Sequence, residues 1–76
     1  IEFVKKTGIE RNKEVARAFN VLGVVSSYLH HYDKALKYYD RAMANAEKTM
    51  GKDHPLTAEI WQNIVMTEQL IHQTRS

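Results

Sequence analysis

The sequence predicts an all-α protein built from antiparallel helix pairs, and three observations carry that prediction. The chain matches itself after a shift of 42 residues: Ala16-Arg17-Ala18-Phe19-Asn20-Val21-Leu22 falls on Ala58-Glu59-Ile60-Trp61-Gln62-Asn63-Ile64, with an aromatic, an amide and a large aliphatic in matching places. A period of this length marks a helical unit that buries its apolar face only by stacking on neighbours. Apolar residues recur at helical spacing throughout, and no alternating segment or Asn-Gly turn suggests a strand. Gly51 and Pro55 stand where one helix should stop and the next begin. About one and a half units fit in the 76 residues.

The first clear helix is expected over 13–29. Val15, Phe19, Leu22, Ser26 and Leu29 share one face, with Val25 beside it. Gly23 lies mid-helix, where Gly costs about 1 kcal/mol against Ala, a cost that makes sense where a neighbouring helix crosses closely. His30-His31-Tyr32-Asp33 interrupts the pattern, and Asp33 can cap the next helix by accepting its free first-turn amides.

That second helix is expected from about 33 to 50. Its stripe is Ala35, Leu36, Tyr39, Ala42, Met43, Ala46 and Met50, while Lys34, Lys37, Asp40, Arg41 and Lys48 lie mostly outside it. Small residues on the packing side let two helix axes approach. Gly51 suits the left-handed residue that ends a helix, and Pro55 suits a first helical position, where its missing N–H costs nothing. The third helix, 55–74, carries Leu56, Ile60, Trp61, Ile64, Val65, Met66, Leu70 and Ile71 as its apolar positions. Residues 1–7 read as the tail of a preceding unit, because Lys6-Thr7-Gly8 resembles Thr49-Met50-Gly51; residues 8–12 would then be a connection, and 13–54 one complete unit.

The totals agree with a small domain. Apolar residues make up 43% and charged residues 26%, both ordinary for a globular chain. A chain this short buries only about 60% of its unfolded surface, so its stability margin is thin. There is no cysteine, which removes disulfides and thiol chemistry and suits a reducing, cytoplasmic setting. No stretch approaches the roughly 18 apolar residues of a membrane span, and the start lacks both a secretory core and an initiator Met, as expected of an excised fragment. The net charge is only +2, with five cations against three acids in residues 1–20 and six of each after that. Without a basic stripe, a nucleic-acid partner is not expected.

These residues resemble a tetratricopeptide repeat. The family's pattern of an aromatic, Leu-Gly, Tyr, Ala, an aromatic and Ala is met by Phe19, Leu22-Gly23, Tyr32, Ala35, Tyr39 and Ala42. Gly51-Lys52-Asp53-His54-Pro55-Leu56-Thr57-Ala58 is similar to the Gly-x-x-His-Pro-x-Thr-Ala link of the 42-residue variety found in kinesin light chains. The likeness is strong over 13–71 and weak over 1–12. It implies helix pairs wound into a right-handed superhelix. Three positions depart from the pattern: Ser26 replaces an aromatic or aliphatic, His30 stands where Gly commonly turns left-handed, and Val65 occupies the position of Gly23. Val65 and the polar end Gln73-Thr74-Arg75-Ser76 point to 55–74 as a capping helix rather than a truncated unit.

Nothing in the chain composes a catalytic or cofactor site. His30 and His31 are adjacent and diverge by about 100° on a helix, His54 and His72 are remote, and no Cys completes a zinc site. Ser26-Ser27 has no His at a telling spacing, and the three Gly residues never form a phosphate cradle. No enzyme, metal or cofactor is therefore expected. In the resembled family the first helix of each pair lines a concave groove that takes peptides. Carried over by position, that groove would present Arg17, Asn20, Val24 and Ser27 from one helix, with Glu59, Gln62, Met66 and Gln69 from the other. The expected function is a peptide-binding or adaptor module of a larger scaffold protein. The alternative is assembly, a homodimer formed through exposed ends at Ile1, Phe3 and Val4.

Overall fold

Three helices follow one another in the computed structural model: α1 (Glu2–Tyr28), α2 (Tyr32–Met50) and α3 (Pro55–Arg75). The structure describes residues 2–75, with side chains described over 13–73. The expected side-chain positions of Ile1, Phe3 and Val4 lie outside that range. α1 packs along α2, α2 packs along α3, and α1 and α3 touch only sparsely.

α1 differs from the expectation at its start. The backbone runs as one helix of 27 residues from Glu2, so no connection breaks it over 8–12. One Gly costs about 1 kcal/mol inside a helix, and no Pro occurs before position 55, so nothing in that segment enforces a stop.

The buried face of α1 is also rotated from the expected one. Ala16, Asn20, Gly23 and Ser26 point into the molecule, Val15 and Phe19 are half-buried, and Leu22, Val25 and Leu29 are exposed. The reason is close approach. The α1–α2 contact is made through the smallest groups of α1, with the Tyr39 ring lying directly on Gly23, where an added Cβ would sit 2.6 Å from Cδ1 of that ring. Beside it, the Phe19 ring stacks on Tyr38 at 6.1 Å and 27°. Arg41, outside the α2 stripe and exposed as expected, holds its guanidinium 5.8 Å from the centre of the Phe19 ring.

α2 follows its expected stripe. Ala35, Tyr39, Ala42 and Ala46 are buried, and Leu36, Met43 and Met50 pack partly buried around them. Ile60 and Ile64 of α3 complete the core, together with Ala16 of α1. A buried phenol needs a partner, and Tyr39 finds it in the Thr67 hydroxyl of α3. Burial raises the phenol's pKa above its ordinary value, and the Thr67 bond offsets part of that rise.

The two turns are held differently. α1 closes through His30, whose φ of 63° makes it the one non-Gly residue of positive φ among the described residues. Its N–H donates to the Ser27 carbonyl at 3.0 Å, and the His31 N–H donates to the Ser26 carbonyl at 2.8 Å. These paired bonds satisfy the last-turn carbonyls. The departure from Gly noted at His30 therefore carries backbone strain. His31, not Asp33, is the N-cap of α2, with no side-chain bond; its carbonyl accepts the Ala35 N–H, and Asp33 lies inside the first turn. There its charge still favours the helix dipole.

The second turn runs from Gly51 to Pro55. Gly51 has φ 83° and ψ 170°, a region essentially confined to Gly, rather than the left-handed helical cap that was expected. Its N–H donates to the Glu47 carbonyl at 3.2 Å, and its own carbonyl accepts the Thr57 hydroxyl at 2.8 Å. That second bond is a clasp across the linker. α3 begins at Pro55, as expected, and the His54 ring caps it by accepting the Leu56 N–H on Nδ1 at 3.1 Å.

Candidate functional groove

α1 and α3 stand side by side on the same surface of α2, and the space between them is a groove with a bridge across it. Asn20 reaches from α1 and donates through Nδ2 to Glu59 Oε2 at 3.2 Å. Asn63 donates through its own Nδ2 to Asn20 Oδ1 at 2.9 Å. Asn20 is only 7% exposed; an unpaired amide there would carry a desolvation cost of about 1–3 kcal/mol, so the pairing fixes the spacing of the two walls.

Two cavities lie along the groove, one on each side of the bridge. On the N-terminal side of Asn20, a cavity of about 400 Å3 is bordered by Arg17, Val21, His54, Pro55 and Glu59. On its C-terminal side, one of about 500 Å3 is bordered by Val24, Ser27, Tyr28, Met66 and Leu70, with Tyr39 and Thr67 also reaching it. Both linings are mainly apolar; the first alone carries a carboxylate and a guanidinium, Glu59 and Arg17, and is the charged one of the two, the second the apolar one.

Six of the eight expected groove residues border these cavities: Arg17, Asn20 and Glu59 the charged one, Val24, Ser27 and Met66 the apolar one. Gln62 and Gln69 are exposed and border neither. Asn20 lies in the groove as expected, but its amide is already engaged by the bridge. Asn63, Tyr28 and Leu70 were not anticipated. A helical step of four from Val24 reaches Tyr28 and from Met66 reaches Leu70, so those two were within reach of periodicity. Asn63 was hidden because its counterpart under the 42-residue shift is the apolar Val21.

Among the described residues no group of three or more His, Cys, Asp or Glu could hold a metal ion, and no helix is long and apolar enough to cross a membrane. No buried side-chain N or O atom lacks a hydrogen-bond partner among them. The sequence model of the tetratricopeptide repeat family matches residues 14–76. No curated protein and no solved structure gives a significant match.

Proposed function

The chain belongs to the tetratricopeptide repeat family, whose repeats mediate contacts between proteins, and from that premise we propose that its α1–α3 groove binds an extended peptide of a partner protein. The observation that carries this reading is the Asn20–Glu59–Asn63 bridge, which holds two walls at a fixed distance with open space on both sides of it. A preformed groove spares a ligand the ordering cost of building its own site. Exposed Met66 and Tyr28 supply an apolar rail, and Gln62 and Gln69, exposed on the same helix as Met66, are free of the cavities and would serve as donors and acceptors for a peptide backbone.

In this reading, 13–54 is one complete unit and 55–74 the first or capping helix of the next. The Thr57–Gly51 clasp supports the 42-residue variety, because it gives the Gly and Thr of the link a joint task. The module would serve an adaptor or scaffold, and the lack of cysteine favours a cytoplasmic one. Titration of the chain with candidate partner peptides, followed by amide NMR, tests the groove. Shifts are expected at Val24, Met66 and Leu70, and Met66→Glu should weaken binding by roughly tenfold or more. Shifts confined to the side of Tyr38 and Arg41 would sink the proposal.

A second reading, assembly, is favoured by one specific observation. Leu22 and Val25 of α1 and Leu29 just beyond it are 43%, 48% and 60% exposed. Under the 42-residue shift they correspond to Ile64, Thr67 and Ile71 of α3, the first two of which are buried. The same stripe that α3 buries is open on α1, as on a surface meant to be covered. Sedimentation at high concentration separates the readings. Assembly through this stripe should be abolished by Val25→Glu and survive Met66→Glu, whereas a mass that stays monomeric rules it out.

A further inference from the structure

We propose that the apolar cavity seats one tyrosine side chain of the bound peptide, an inference that rests on the groove's being a peptide site and names the anchor. The direction of the bridge supplies the first reason. The Glu59 carboxylate only accepts, so Asn20 meets it with Nδ2 and turns Oδ1 toward Asn63, which then gives an Nδ2 proton. Asn63 Oδ1 and the second Nδ2 proton are left without a partner among the described residues, in a side chain that borders the apolar cavity. The hydroxyl of half-buried Ser27, on the same cavity, has none either. No buried polar side-chain atom lacks a bond among the described residues, so both groups are reachable from outside.

The rest of the lining supplies the second reason. Val24, Tyr28, Met66 and Leu70 border the cavity, and no Asp, Glu, Lys or Arg does. A charged group would lose its water there without meeting an opposite charge. The Tyr39 phenol and the Thr67 hydroxyl also reach the cavity, but they are bonded to each other. The volume of about 500 Å3 falls within the roughly 300–1,000 Å3 of sites that take organic groups. Asn63 of the bridge stands at one end, and at the other the His30 and Tyr32 rings meet edge to face at 5.8 Å. A space bounded in this way suits one side chain better than a run of backbone.

A phenol meets both conditions. Its ring can pack on Tyr28 and on the Met66 thioether, contacts that aromatic groups favour. Its hydroxyl donates and accepts, which matches the unbonded half of the Asn63 carboxamide and the Ser27 hydroxyl. An indole N–H only donates, and phenylalanine and leucine do neither. A site that holds unpaired polar groups rejects the analogue without a hydroxyl, because those groups then lose water and gain nothing.

The test uses the whole chain and three capped amino acids: N-acetyl-tyrosinamide, N-acetyl-phenylalaninamide and N-acetyl-leucinamide. Methyl NMR signals of Val24, Met66 and Leu70 report binding. The tyrosine probe should give saturable shifts and bind roughly fivefold more tightly than the phenylalanine probe, the weight of one hydrogen bond. The leucine probe should be weaker again. Met66→Glu, at a position 60% exposed, should abolish the shifts while the helical circular dichroism stays unchanged. Equal or tighter binding of the phenylalanine probe overturns the proposal, as does a tyrosine probe that leaves Met66 unmoved. The groove itself is judged separately. Partner peptides that shift Val24, Met66 and Leu70 equally well with tyrosine replaced by phenylalanine would keep the groove and remove the tyrosine seat.

Discussion

Gly23 and His30 are two residues at which a change of side chain should move stability in opposite directions. At Gly23 an added methyl group meets the Tyr39 ring, 2.6 Å from Cδ1 and 2.8 Å from Cζ, and that ring is only 2% exposed. Gly23→Ala gains about 1 kcal/mol of helix propensity but incurs an overpacking cost of about 1–3 kcal/mol. The clash is with a ring held by two helices, so the cost should win. We expect a net loss of about 1 kcal/mol, read as a melting midpoint lower by roughly 4–8 °C. His30 presents the opposite case. Its φ of 63° costs about 1–2 kcal/mol for a residue with a Cβ, against which its ring gains one exposed bond to the Tyr32 hydroxyl at 2.8 Å. His30→Gly should raise stability by about 0.5–1 kcal/mol in chemical denaturation, since an exposed bond returns little. A lower midpoint would mean that the Tyr32 contact outweighs the strain.

At the scale of elements, the linker between α2 and α3 is the part most tightly specified. Gly51 supplies a φ/ψ pair that only Gly adopts without strain, Pro55 starts α3 without a wasted N–H, and Thr57 ties the third residue of the helix back to the turn. Thr57 is 3% exposed, so its hydroxyl bond is shielded from water. Thr57→Val keeps the shape and deletes the bond, and should cost about 1–2 kcal/mol, with faster amide exchange at Gly51 and Leu56 than elsewhere in the chain. A uniform change in exchange would show that the clasp does not act locally. α1 teaches the reverse lesson. Its length and its buried face were both misread, because a single Gly8 does not end a helix, and apolar residues on several sides of one give no sign of which side a neighbour will choose.

For the whole molecule, Tyr39 is the residue that joins all three helices. It belongs to α2, its ring lies on Gly23 of α1, and its phenol meets Thr67 of α3. Burial raises its pKa above the ordinary 10.0, so the folded state keeps the phenolic proton after the unfolded state has released it. Stability is therefore fully present below about pH 10 and falls as pH rises beyond it. Denaturation midpoints measured at about pH 9 and about pH 11 should fall for the wild type and fall less for Tyr39→Phe, which has no proton to lose. Parallel declines would assign the alkaline loss to other groups. Because the core is small, a failure at this one ring should unfold the three helices together.

The sequence by itself determined the class, the three helices, the stripe of α2 and the joint at Gly51 to Thr57. Those features are local: helical period, small residues in a row and residue-specific backbone angles act within one or two turns. Family resemblance also put Arg17, Val24, Ser27, Glu59 and Met66 among the groove candidates, and each of them borders one of the two cavities. Tertiary structure decided which face of α1 is buried, since Ala16, Asn20, Gly23 and Ser26 win that face by size rather than by hydrophobicity. It decided too that Asn20 serves as a bridge to Glu59 and Asn63. An amide in a list of residues looks free to bind a ligand; only the distance between two helices shows that its bonds are already made.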